Sequence, residues 1–86
     1  MEPHSLHFKP SVEKDLGRLP VRVRSRLLDR IAELRVAPRP AGVRQIVGAE
    51  RTYRLRLGVY RVIYQVDDAA RRVTVLHVRH RKDAYR

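Results

Sequence analysis

From Arg51 to the C-terminus, apolar and polar residues alternate with the period of β-strands. In Thr52 to Leu57, Tyr53, Leu55 and Leu57 share one face, and Thr52, Arg54 and Arg56 share the other. After Gly58, the residues Tyr60, Val62, Tyr64 and Val66 line up opposite Arg61, Ile63 and Gln65. Asp67-Asp68-Ala69-Ala70 is a turn signal. Arg72 to Arg79 follows, with Val73, Thr74, Val75, Leu76, His77 and Val78 too apolar for an edge. Short turns between three such strands predict an antiparallel meander. Side chains two apart share a face, so Arg54 and Arg56 must project together, away from the apolar side.

The N-terminal half changes period. Ser5 to Lys9 is a short strand candidate stopped by Pro10. Val12, Leu16 and Leu19 then recur at helical spacing, with Pro10 at the first helical position or Ser11 as N-cap. Gly17 and Leu19-Pro20 weaken and end this helix. A longer helix is predicted over Pro20 to Val36, with Val23, Leu27, Leu28, Ile31 and Leu34 as its apolar stripe and Arg26, Arg30 and Glu33 on the wet side. Ala37 to Gly42 breaks it. Val43 to Glu50 lacks clean alternation and is expected to be a loop with a few residues of strand. The predicted fold class is α+β: a short N-terminal strand, a two-helix hairpin, then an antiparallel meander of three to four strands, with the helices on one sheet face and the other face free.

Composition adds an electrostatic demand. The 86 residues leave room for one domain, 1–86. The formal net charge is +11, and of 20 Lys+Arg only Lys9, Lys14 and Lys82 are lysine, so 17 are arginine. Guanidinium groups fork onto phosphate and stack on bases, so the excess points to nucleic acid, an acidic protein partner, or both. With no cysteine and no apolar run of membrane-spanning length, the expected location is the cytoplasm. His4 and His7 have no cysteine or clustered carboxylate beside them, so no metal site or other cofactor is expected.

The segments Tyr-Arg-Leu-Arg-Leu (53–57), Gly-Val-Tyr-Arg-Val-Ile-Tyr (58–64) and His-Val-Arg-His-Arg-Lys-Asp-Ala-Tyr-Arg (77–86), in the order β-α-α-β-β-β, resemble RelE-type toxins of the RelE/ParE toxin–antitoxin superfamily. The resemblance covers nearly the whole chain and is most specific in its last third. It implies a toxin that cuts mRNA in the ribosomal A site without metal and so inhibits translation. In that chemistry the ribose 2′-OH attacks the adjacent phosphate, leaving a 2′,3′-cyclic phosphate and a 5′-OH. It also implies an acidic antitoxin partner, disordered until it folds along the toxin. By the same resemblance, Arg54 and Arg56 bind phosphate and Arg61 stabilises transition-state charge. Arg81 serves the leaving group, and Tyr85 stacks on or hydrogen-bonds to substrate.

One departure bears on mechanism. The best-known members carry lysine where this chain has Arg54 and Arg56. A guanidinium keeps its proton at any physiological pH and makes a poor base. The expected base is therefore His80 or Tyr85, with His77 as a third candidate, although His77 within an apolar strand reads first as structural. Two other functions compete: a gyrase poison of the ParE branch, and an inert homologue that only binds antitoxin or RNA.

Overall fold

The computed structural model describes residues 3–81. Pro10 converts strand to helix. β1 (Ser5–Phe8) ends before Lys9, whose extended backbone (φ −67°, ψ 148°) caps α1 (Pro10–Gly17) without a side-chain bond. Proline at the first helical position forfeits no hydrogen bond there. Ser11 therefore lies inside the helix and is not its cap. Pro20 is itself the N-cap of α2 (Val21–Glu33), after which a turn runs to Val36.

Four more strands follow: β2 (Arg44–Gln45), β3 (Thr52–Leu57), β4 (Tyr60–Asp67) and β5 (Arg72–His80). The sheet order is β1-β5-β4-β3-β2. The meander is antiparallel as expected, but β1 lies parallel beside β5, pairing Ser5–Phe8 with Arg72–Val75 and making a mixed sheet of five strands. This contact covers β5, as its apolar run requires. The β3–β4 hairpin turns on Gly58 and Val59. Gly58 has φ 58° and Val59 is not among the positive-φ residues, which is the two-residue turn with glycine first that matches strand twist.

The core is the interface between the helical hairpin and one sheet face. Val12 and Leu16 of α1 and Leu27, Ile31 and Leu34 from α2 and its C-cap meet Leu55, Val62, Tyr64, Val66, Val73, Val75 and Val78. Leu28 drops out of the predicted stripe at 37% exposure, and Val23 is only partly covered. On the wet side, Arg30 Nη1 donates to Glu33 Oε2 at 2.8 Å. None of the described helices is long and apolar enough to cross a membrane.

The segment after α2 is tied down by polar contacts. Tyr64 is fully buried and donates its hydroxyl to Pro38 O at 2.7 Å. Its ring stacks on Tyr53, with centroids 5.8 Å apart. Arg39 donates to Tyr53 Oη at 2.9 Å and forks onto Asp68 at 2.6 and 3.3 Å. The Arg39 bond holds the exposed Asp68 carboxyl below its ordinary pKa, so this tie is intact at neutral pH and is lost as pH falls through the depressed value.

Burial, aided by Tyr53, pushes the Tyr64 phenol up to about 12. An unfolded phenol ionises near 10. The folded protein therefore keeps a proton that the unfolded chain has released, and Tyr64's stabilising share is whole below pH 10 and lost as pH rises towards 12. Tyr64→Phe is expected to cost about 1 kcal/mol at pH 7 through the lost bond to Pro38. It should also remove roughly 2 kcal/mol of the stability decline between pH 9 and 11.5. Urea unfolding of both proteins across that range checks this, and parallel curves would refute it.

Candidate nucleic-acid interface

Strand pairing determines which arginines meet on the sheet face away from the helices. Arg56 pairs with Arg61 across β3–β4, and Arg61 pairs with Arg79 across β4–β5. Three guanidinium side chains thus leave three adjacent strands in one row. The next row holds Arg44, Arg54, Ile63 and His77. Directly opposed residues on neighbouring strands have Cβ atoms about 5 Å apart, and like charges so placed repel. Asp15 offsets part of this repulsion at Arg79, and a bound anion would offset more. Arg61, at the centre of the first row, is only 8% exposed.

Beside these rows, Gly42, Arg44, Arg54 and Arg56 line a hollow of about 410 Å³. Gly42 has φ 89°, a conformation that favours glycine, and brings the chain into β2. Arg44 was not among the residues singled out from the sequence. It lies on a two-residue strand, too short for alternation to register, and its pairing with Arg54 is what recruits it.

Arg79 was also missed. A bulge in β5 explains why. Tyr64 pairs with Val75 and Ile63 pairs with His77, so Leu76 is an extra residue and the facing of the strand switches there. Val78, at 5% exposure, returns to the core, while Arg79 falls into the arginine row. The three-residue step between Val75 and Val78 is the one signal of this in the sequence. The Arg79 guanidinium reaches Asp15 of α1 at 3.0 Å and lies 3.4 Å from His77 Nδ1.

The bulge also sorts the histidines. His80 pairs with Tyr60, and the two rings meet edge-on, with centroids 5.4 Å apart, on the helix side of the sheet. His77 is exposed, on the arginine side, and does not have the covered, structural setting expected from its apolar strand. Arg81 lies just past β5, its backbone N–H donating to Val59 O, which carries the pairing one step further. Tyr85 lies outside the described residues.

A helical hairpin on one face of a small mixed sheet, with guanidinium groups crowded on the other, fits a RelE-type toxin. The chain belongs to the ParE toxin family of type II toxin–antitoxin systems, whose family model, described as "ParE toxin of type II toxin-antitoxin system, parDE", matches residues 6–85. It is 32% identical over 88 residues to Toxin RelG of Mycobacterium tuberculosis, covering 98% of each chain. Its fold superimposes on RelE in the archaeal RelE–RelB complex from Pyrococcus horikoshii OT3 with TM-score 0.83 and 30% identity, covering 92% of this chain and 96% of the other. The isolated E. coli RelE toxin matches at TM-score 0.79 and 28% identity, covering 90% of this chain and 83% of that one.

Proposed function

We propose that this toxin is a ribosome-dependent endoribonuclease that cuts mRNA by 2′-OH attack without a metal and so inhibits translation. The observation that carries this reading is the cross-strand row of Arg56, Arg61 and Arg79 beside the Arg44/Arg54 hollow. Arg44, Arg54 and Arg56 hold the RNA backbone. Arg61, desolvated and flanked by two more cations, faces the charge that develops on the pentacoordinate phosphate, where preorganised donors are most effective. Arg79 and Arg81 supply hydrogen bonds to the departing 5′-oxygen. Tyr85 stacks on or hydrogen-bonds to the substrate.

The base must lie on the arginine side to take the 2′-OH proton. Between the histidines named from the sequence, His77 meets that condition, and His80 is turned to Tyr60. The 2′-oxygen bonds to phosphorus as the bond to the 5′-oxygen breaks, and the departing 5′-oxygen takes a proton from water, giving a 2′,3′-cyclic phosphate and a 5′-OH. The protein acts in the cytoplasm.

A cognate acidic antitoxin neutralises the basic face, as suits a chain of charge +11. RelE proteins similar to this chain have been solved as complexes with RelB. Induced expression with and without any small acidic gene encoded beside it tests the proposal. Growth arrest with new mRNA 5′-ends inside codons is expected, relieved by the partner. The family match to ParE toxins favours a second reading, gyrase poisoning. A DNA-damage response with intact mRNA would replace the first reading with it.

A further inference from the structure

The same sheet face carries a second cavity, of about 390 Å³, at its opposite end. Glu50, Arg51, Gln65, Asp67, Arg72 and Thr74 line it. Gln65 pairs with Thr52 and Thr74, and Asp67 with Arg72, so these side chains continue the ladder that holds the arginine row. Gln65 is four residues along β4 from Arg61, about 13 Å at strand rise. A single nucleotide does not bridge that span, but a short oligonucleotide does.

The two ends differ in chemistry. The hollow of Arg44, Arg54 and Arg56 is purely cationic and suits phosphate. In the second cavity two arginines face two carboxylates, so it has no net charge to attract an anion. It offers a primary amide, a hydroxyl, guanidinium donors and carboxylate acceptors, the mixture that hydrogen-bonds the edge of a nucleobase. The Asp67 carboxylate is fixed by accepting the Ala70 N–H at 3.0 Å.

Arg51 provides an independent sign. It has φ 60°, a backbone region in which a long side chain is strained and glycine is at ease. Its carbonyl accepts from Val66 N–H at 3.0 Å, which holds the residue against β4 at the cavity wall.

We propose that this cavity is a base-binding subsite that reads an unpaired RNA nucleobase a few nucleotides from the phosphate held by the arginine row. The inference rests on the RNA-cleavage reading above and adds a determinant of sequence context to it. Contacts to phosphate position a strand, whereas contacts to base edges carry sequence information.

The test uses the full chain and single-stranded RNA of two and six nucleotides, 2′-O-methylated to block cleavage, with binding followed by fluorescence anisotropy. The six-mer is expected to bind about ten-fold more tightly than the two-mer, the scale of one well-held base. Gln65→Ala combined with Thr74→Ala should erase that advantage and leave two-mer affinity unchanged. Arg51→Gly should erase it too, while relieving backbone strain, so its thermal midpoint should hold or rise. A six-mer with abasic residues at its distal positions should bind wild type like the two-mer. If the six-mer advantage is missing in wild type, survives both variants or survives removal of the bases, the subsite is refuted. Arg56→Ala should weaken both oligonucleotides. If it weakens neither, the arginine-row reading fails, and the subsite with it.

Discussion

Arg61→Ala is expected to abolish growth arrest and to reduce cleaved mRNA ends by about 10²- to 10³-fold, the usual effect of removing one preorganised donor from a developing anion. The position is central in register, between Arg56 and Arg79, and 8% exposed, so its charge acts with little water to screen it. Two controls separate charge from packing. Arg61→Met keeps the aliphatic stem and should be as inactive as alanine. Arg61→Lys keeps a cation without the planar fork and should recover part of the activity. Primer extension on induced transcripts, with circular dichroism to confirm folding, gives the answer. Full toxicity and unchanged mRNA ends in the alanine and methionine variants would remove Arg61 from the mechanism.

Leu27→Ala is expected to cost about 2–5 kcal/mol in urea unfolding, through lost apolar burial and the cavity left behind. Total stability for a chain of 86 residues is on the order of 4–13 kcal/mol, so this one change removes a large part of it. Leu27 is fully buried between α2 and the sheet. The neighbouring Leu28 supplies the contrast. It is 37% exposed, and Leu28→Ala should cost less than about 1 kcal/mol. Equal losses at the two positions would mean that α2 packs in a different rotation.

The meander illustrates what alternation can reveal. Arg54 and Arg56 fall on one side of β3 and Leu55 on the other because successive residues of a strand must point oppositely, whatever their neighbours. The α2 stripe was readable for the analogous helical reason, except at its margin. Leu28 is as apolar as Leu27, and only the angle at which the helix meets the sheet leaves it out. The parallel pairing of β1 with β5 was not readable, since nothing local in Ser5–Phe8 encodes a partner almost seventy residues away.

The site divides along the same line. Sequence alone determined that the chain is strongly basic, that it folds as strand, helical hairpin and meander, and that Arg54, Arg56 and Arg61 lie on polar strand faces. These follow from composition and from the fixed periods of helix and strand. Tertiary structure alone decided which arginines stand side by side. The additional residue at Leu76 turns Arg79 and His77 to the arginine side and His80 to Tyr60, whereas unbroken alternation from Val73 and Val75 would do the reverse. A bulge forms where two strands must stay paired while packing different neighbours, so its position depends on the whole sheet and its core, and the strand's own pattern carries only the three-residue step from Val75 to Val78.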